Sequence, residues 1–260
     1  MNSQQSTVNS QQSAFITGAG KGIGEAIAVA FGRAGMRVIC AARTQSDVER
    51  VASEIRAQGG DARAVVCDVT QPDSIAHAIE QAGEISILVN NAGIAESHKF
   101  LNHDDAVWHR LIAVNLTGVY NVTKAIAPMM IAAKWGRIIN IASIASKVGA
   151  RYVAAYTASK HGVLGLTRAL AVELNSFNIT VNAICPGYVD TPMTDRGVAN
   201  MVARTGMSEE QISATLAQTS PQNRMITSEE VAHVARMLVG ENARGITGQA
   251  INVDGGAVMF

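Results

Sequence analysis

The sequence predicts a single α/β domain: a doubly wound, seven-stranded parallel sheet with helices on both faces. Three observations point there. Short apolar runs alternate along the chain with longer segments of helical spacing. The 260 residues, 48% hydrophobic and 16% charged, suffice to bury one sizeable core. The loops carrying Gly, Asn and Ser follow the carboxyl ends of the apolar runs, where sheets of this class bind ligands at the reversal of strand order.

Taken in order, residues 14–17 (Ala-Phe-Ile-Thr) form the first strand. Residues 24–34 repeat apolar side chains at helical spacing and stop near Gly35, a helix terminator. Residues 37–41 are the second strand, and 47–58 a charged amphipathic helix closed by Gly59-Gly60. Residues 62–67 form the third strand, 73–81 a helix and 85–90 the fourth strand. Residues 106–131 read as one long helix, with Pro128 near its end. The fifth strand, 136–141, precedes a helix over 152–175. The sixth strand, 179–184, a helix over 229–238 and the last strand, 250–253, complete the pattern. Crossovers between parallel strands are expected to be right-handed. Residues 1–13, rich in Ser, Gln and Asn, read as a disordered tail before a catalytic domain over 14–260. The polar stretch at about 191–223 is too long for a simple connection and reads as a pair of lid helices.

Charge and composition exclude several classes. Lys plus Arg equals Asp plus Glu at 21 each, so the formal net charge is +0 and nothing favours nucleic acid or an anionic membrane. No uninterrupted apolar run reaches the ~18 residues of a spanning helix, and the first residues lack the basic and apolar regions of a signal peptide. A cytoplasmic protein is expected. Cys40, Cys67 and Cys185 are odd in number and lack C-x-x-C spacing, which predicts buried free thiols. The six His show no paired ligand spacing, so no metal site is expected, and His161 reads as a helix-packing residue.

Two constellations carry chemistry. After the first strand, Thr17-Gly18-Ala19-Gly20-Lys21-Gly22-Ile23-Gly24 turns into a helix. Glycines there admit a pyrophosphate close to the backbone, and the helix N-terminus favours the anion. Further on, Tyr156 and Lys160 lie four residues apart, on one face of a helix, with Ser143 thirteen residues upstream of Tyr156. A cation beside a phenol favours the phenolate and brings an ordinary pKa of about 10 toward the useful range.

In order along the chain stand Thr17-Gly18-x-x-x-Gly22-x-Gly24, Asn90-Asn91-Ala92-Gly93, Asn115, Ser143, Tyr156-x-x-x-Lys160 and Pro186-Gly187. Together they resemble the short-chain dehydrogenase/reductase family, from about Ala14 to Asp254-Gly255-Gly256. Within it, the stretch from Tyr156 to Val163 and on through 184–193 looks most like 3-oxoacyl reductases and polyketide ketoreductases. The connection between Asp73 and Ile85 is shorter than is usual in the family, which should shorten one outer helix. The resemblance implies a Rossmann-type domain. It makes Tyr156 the general acid in reduction and general base in oxidation. Lys160 would lower the pKa of Tyr156 and hold the nicotinamide ribose, and Ser143 would position the substrate carbonyl. Asn115 would hold a water linking Lys160 to solvent, the alternative being a polar helix residue bonded to backbone. Ser146 competes with Ser143, but the family spacing to Tyr156 selects Ser143. Asp68, with Val69 beside it, would bind the adenine amino group. Asn91, Ala92 and Gly93 would line the ribose and nicotinamide, and Pro186, Gly187, Val189 and Thr191 would orient the carboxamide.

The second strand ends Val38-Ile39-Cys40-Ala41-Ala42-Arg43, with Arg43 where an acidic residue would chelate the ribose of NAD. A guanidinium suits the 2′-phosphate instead, and Lys21 can reach the same region, so NADP(H) is expected. Asp47 reads as a first-turn residue of the following helix rather than the ribose acid. The substrate is expected to be a small-molecule ketone or alcohol, a 3-oxoacyl thioester on CoA or a carrier protein, or a related β-keto compound. The alternative is oxidation of a secondary alcohol or a 3-hydroxyacyl-CoA. Residues 144–153 and 194–223 should set its identity. Met193, Met201, Met207 and Met225 either meet an apolar acyl chain or pack the lid. Arg196, Arg204 and Arg224 either meet a phosphopantetheine phosphate or are ordinary surface charges. The resemblance implies a homotetramer through the helices at 106–131 and 152–175 and the last strand. The apolar end Ala257-Val258-Met259-Phe260 suits burial at such an interface.

Overall fold

The computed structural model describes residues 12–260. Seven strands form one sheet: β1 (Ser13–Thr17), β2 (Arg37–Ala42), β3 (Asp61–Val66), β4 (Ile87–Asn90), β5 (Gly136–Ile141), β6 (Ile179–Pro186) and β7 (Ala250–Val253). Their order is β3-β2-β1-β4-β5-β6-β7, and every pairing is parallel. The chain therefore builds outward from β1 to β3, returns, and builds outward again from β4 to β7. The reversal lies between β1 and β4, whose carboxyl ends open a crevice.

Alternation along each strand sorts the core into two layers. From β1, Ala14 and Ile16 face α1 (Gly22–Arg33), α2 (Gln45–Ala57) and α9 (Ser228–Val239), packing with Ile27, Phe31, Val51 and Val231. Phe15 faces the opposite way, into a layer completed by α3 (Pro72–Ala82), α5 (Gly118–Ala133) and α6 (Ala154–Leu174). β1, β4, β5 and β6 are buried on both faces, which accounts for their near-continuous apolar runs, whereas β3 at one edge alternates buried with exposed residues. Cys40, Cys67 and Cys185 are free and buried, as expected. Burial pushes the Cys40 and Cys67 thiols up to about 12 and about 11, and Cys185 in the same direction.

Three boundaries differ from the sequence expectation. The expected tail over residues 1–13 loses its last residue to β1: Ser13 pairs with Arg37, and its N–H donates to Ser86 Oγ at 3.0 Å. The rest of that tail, apart from Gln12, lies outside the described residues. The single helix expected over 106–131 is two helices, α4 (Asp105–Ile112) and α5, joined by a π-helical turn, Ala113–Thr117. One added residue per turn leaves hydrophobic periodicity almost unchanged, so the sequence hides it. Pro128 sits inside α5, which runs on to Ala133. The short connection after β3 does yield an outer helix of only 11 residues, α3.

The polar stretch after β6 forms α7 (Pro192–Thr205) and α8 (Glu209–Ala217). Val198, Ile212 and Leu216 bury their contact, with Met201 and Met225 against them, while Met193 and Met207 remain exposed. Two of the four methionines thus pack the lid.

Candidate active site

The crevice at the strand reversal is stapled by Thr17 at the end of β1. Its Oγ1 accepts the N–H groups of Asn91 and Ala92, each at 3.0 Å, and donates to Val89 O at 3.3 Å. Asn91 answers by donating from Nδ2 to the carbonyls of Thr17 (3.0 Å) and Gly18 (3.1 Å). These bonds fix the glycine turn against the loop after β4. A Cβ on Gly24 would stand 2.3 Å from Gly18 O and 2.4 Å from Asn91 Nδ2, so only glycine fits there. Gly18 adopts φ +67, in the left-handed region. The turn opens α1, whose N-terminus begins at Gly22 with Lys21 as N-cap residue and Ile23 following. A Cβ on Gly22 would lie 3.0 Å from Thr191 Cγ2, so the segment after β6 closes the far side of the same crevice. In that segment Gly187 donates to Val253 O at 3.0 Å, Val189 bridges to Ile226, and Thr191 caps α7 immediately after Pro186 ends β6. A tight turn, a helix N-terminus and walls that leave no room for side chains fit a dinucleotide pyrophosphate.

Asp68 follows β3 and accepts Thr70 N–H (2.9 Å) and Oγ1–H (2.7 Å) through Oδ1, a turn that holds the carboxylate at the crevice's rim. Beside it Val69 packs so tightly on Gly118 that a Cβ there would come within 2.6 Å of Val69 Cγ2. Arg43 follows β2 and is exposed. Lys21, by contrast, is paired with Asp47 at 3.0 Å, and Asp47 lies in the first turn of α2 as expected.

The chemistry-bearing side chains converge beyond β4 and β5. Lys160, buried in α6, donates from Nζ to Ile141 O at 2.8 Å and lies 5.8 Å from the centroid of the Tyr156 ring. Gly93 sits beside both Lys160 and Asn115: a Cβ on it would be 3.8 Å from Lys160 Nζ and 3.4 Å from Asn115 Oδ1. Ser143 ends the β5 strand region, and its Oγ accepts Ala145 N–H at 3.1 Å. Ser146 is 2% exposed and turned away into the fold, which leaves Ser143 as the serine at Tyr156.

Asn115 occupies the π turn. Its Oδ1 accepts Ile94 N–H (2.9 Å), and its Nδ2 donates to Ile94 O (2.9 Å) and to Ser159 Oγ (3.2 Å). Both amide hydrogens are committed to protein, and the oxygen already accepts one bond. Ser159 also donates to Tyr156 O at 2.7 Å, joining the π turn to the first turn of α6.

Electrostatics at the pair differ from the simple expectation. Burial pushes Tyr156 upward from its ordinary pKa, with the Ser143 side chain opposing; Lys160 is not among the groups that lower it. Burial also drives Lys160 down from 10.5 to about 8. The protein's own groups therefore keep the phenol protonated and make the ammonium costly.

Sequence reasoning missed Thr17 and Ser159 as site-building residues, and also a buried polar chain beneath the site. There Asn90 donates to Thr123 Oγ1 and Asn140 Oδ1 (both 2.9 Å), and Asn140 donates to Thr167 Oγ1 (2.8 Å), tying β4 and β5 to α5 and α6. Strand-embedded Asn90 and Asn140, in otherwise apolar runs, are the signal that could have revealed it. Of the lid arginines, Arg224 makes a two-pronged pair with Glu230 (2.8 and 2.7 Å) and Arg204 donates to Ser97 O (2.7 Å). Arg196 is exposed.

The family model for short chain dehydrogenase matches residues 12–202. The 3-oxoacyl-acyl-carrier-protein reductase FabG of Pseudomonas aeruginosa is 38% identical over 95% of this chain and 97% of its own. D-beta-hydroxybutyrate dehydrogenase of Rhizobium meliloti is 36% identical over 94% and 98%. Among solved structures, a variant of actinorhodin polyketide ketoreductase with NADPH superposes with a TM-score of 0.91 at 37% identity, covering 96% of this chain and 98% of that one. With the family model matching most of the chain and relatives above 30% identity spanning nearly all of it, the chain belongs to the short chain dehydrogenase family.

Proposed function

We propose that this chain is an NADP(H)-dependent reductase that converts a ketone, a 3-oxoacyl thioester or related β-keto compound, to a secondary alcohol. The observation that carries the reading is the cluster at the strand reversal: a protonated Tyr156 with Ser143 beside it and the buried Lys160 under its ring. Support for the substrate class and the cofactor comes from the FabG relative and from the ketoreductase solved with NADPH. Gly18, Gly22, Ile23 and Gly24 would take the pyrophosphate, Asp68 and Val69 the adenine, and Arg43 with Lys21 the 2′-phosphate. Asn91, Ala92, Gly93, Pro186, Gly187, Val189 and Thr191 would flank the ribose and nicotinamide.

When bound, NADPH supplies the hydride, and the chain's residues supply position, a proton and charge. Ser143 donates a hydrogen bond to the ketone oxygen. Tyr156 then delivers its proton to that oxygen as the carbonyl carbon is reduced, and a phenol whose pKa is held up arrives protonated. Lys160, ionised below about pH 8, stabilises the phenolate left behind. The phenolate regains a proton through Lys160 and a water held by the backbone at Asn115. Oxidation of an alcohol runs the same steps backward, and the hydroxybutyrate dehydrogenase relative favours it as the second reading.

The chain would act as a homotetramer: Val172 on α6 is 83% exposed, and Met259 and Phe260 are 86% and 75% exposed, more apolar surface than a monomer gains from leaving bare. Three unpaired thiols suit a reducing, cytoplasmic setting. Among the described residues, no helix is long and apolar enough to cross a membrane. The test is initial rate with acetoacetyl-CoA, comparing NADPH with NADH at matched subsaturating concentration. Turnover with strong NADPH preference supports both substrate and cofactor readings. NADH preference overturns the role of Arg43, and NADPH preference without thioester turnover redirects the substrate to cyclic or aryl ketones.

A further inference from the structure

The corner between the glycine turn and the end of β2 holds three cations, Lys21, Arg43 and Arg50, and two carboxylates, Glu25 and Asp47. Arg50 is spent: it donates to both oxygens of Glu25 (2.8 and 2.7 Å) and to Gly20 O (2.9 Å). Lys21 is spent on Asp47 at 3.0 Å. Arg43 makes no hydrogen bond or ion pair among the described residues. Arg43 is thus the cation left without a carboxylate partner among the described residues to meet a 2′-phosphate carrying about −1.5 to −2.

We propose that Asp47 is a specificity-determining residue that holds the chain's affinity for the 2′-phosphate of NADP(H) below what Lys21 and Arg43 would otherwise provide. The inference rests on the reading of those two residues as the phosphate's ligands. Asp47 cannot withdraw. It lies in the first turn of α2, and its Cβ stands 2.7 Å from where a Cβ on Gly20 would be, so its root is packed onto the glycine turn. An ammonium has three donors, so Lys21 can keep Asp47 and still meet a phosphate. At a separation of about 6 Å, a carboxylate and a near-dianion in water of moderate salt repel enough to cost roughly a factor of two to four in affinity. NADH has no 2′-phosphate and is spared that repulsion. Asp47 thus acts on the choice between the two cofactors rather than on dinucleotide binding in general.

The test is a fluorescence titration of the full chain with NADPH and with NADH, using wild type, Asp47→Asn and Arg43→Ala, at about 50 mM and about 500 mM salt. Asparagine keeps the shape of Asp47 and removes its charge. The expected result is a roughly three- to fivefold lower Kd for NADPH with Asp47→Asn at the lower salt, shrinking at the higher salt, with the Kd for NADH unchanged. An unchanged NADPH Kd, or an equal shift for both cofactors, overturns the proposal. If Arg43→Ala weakens NADPH while Asp47→Asn does nothing, the role of Asp47 alone falls. If Arg43→Ala leaves NADPH binding unchanged, the phosphate does not bind at this corner and both readings fall.

Discussion

Lys160 should make the protein less stable below pH 8 than it is at high pH, and the structure gives the size of the effect. The side chain is 5% exposed, and burial lowers its pKa from 10.5 to about 8. In the unfolded chain it holds its proton up to about 10.5, so between the two values the unfolded state binds more protons, and stability rises with pH. The whole effect is about 3 kcal/mol, most of it expressed between pH 7 and pH 10. Other groups titrate over that range as well, so the informative quantity is a difference. Urea unfolding of wild type and Lys160→Met should be followed at pH 7, 8, 9 and 10. Methionine removes the charge and keeps the length. It also leaves Ile141 O without its donor, a cost of about 1–3 kcal/mol that does not vary with pH. Wild type should therefore gain on the variant by about 2–3 kcal/mol across the series. A difference that stays flat would mean that Lys160 titrates alike in both states, and the argument from burial would be refuted. The same variant should lose most of its turnover, because the group that strains the fold is the one proposed to stabilise the phenolate.

Tyr156→Phe removes the transferable proton while keeping the ring, so turnover should fall by about 10²–10⁴ with NADPH affinity within a fewfold of wild type, read by steady-state rate and fluorescence titration. Gly24→Ala drives a methyl against Gly18 O and Asn91 Nδ2 and should cost about 1–3 kcal/mol in thermal unfolding, with NADPH binding weakened at least tenfold. Asn115→Leu leaves Ile94 N–H and C=O unpaired and should destabilise by about 2 kcal/mol, with slower exchange of the proton pool visible as a larger solvent isotope effect on kcat.

What was legible in the sequence is what depends on short spacing. Tyr156 and Lys160 fall on one face of α6 because four residues make about one helical turn, and the glycine turn declares itself by following a strand and opening α1. The central strands were legible because two-sided burial forces apolar runs with few polar interruptions, and edge strand β3 because its buried and exposed residues alternate. What was hidden depends on residues far apart in the chain. Thr17 meets the Asn91 and Ala92 N–H groups across more than seventy positions, and a threonine ending a strand gives no local sign of its partner. The Lys21–Asp47 pair is of the same kind: each residue reads correctly by itself, one as a loop cation and one as a first-turn acid, and only the close approach of α2 to Gly20 joins them.

Asn115 shows how such hidden features act together. An asparagine in a helical segment can be read from sequence either as a water holder or as a residue bonded to backbone, and it proves to be bonded to backbone through every atom its amide offers. That bonding is possible because the helix widens by one residue at Ala113–Thr117, and the widening is what exposes backbone carbonyls from the ordinary helical ladder. The side chain thus props the loop after β4 against α6, and the proposed relay water would bind the backbone of the widened turn. A deletion beside Asn115 that keeps this side chain but restores a regular helix would separate the two roles. Deleting one residue within 113–117 should preserve folding at a cost of about a kcal/mol or more and still abolish proton relay, whereas a purely structural asparagine would lose activity only in step with stability.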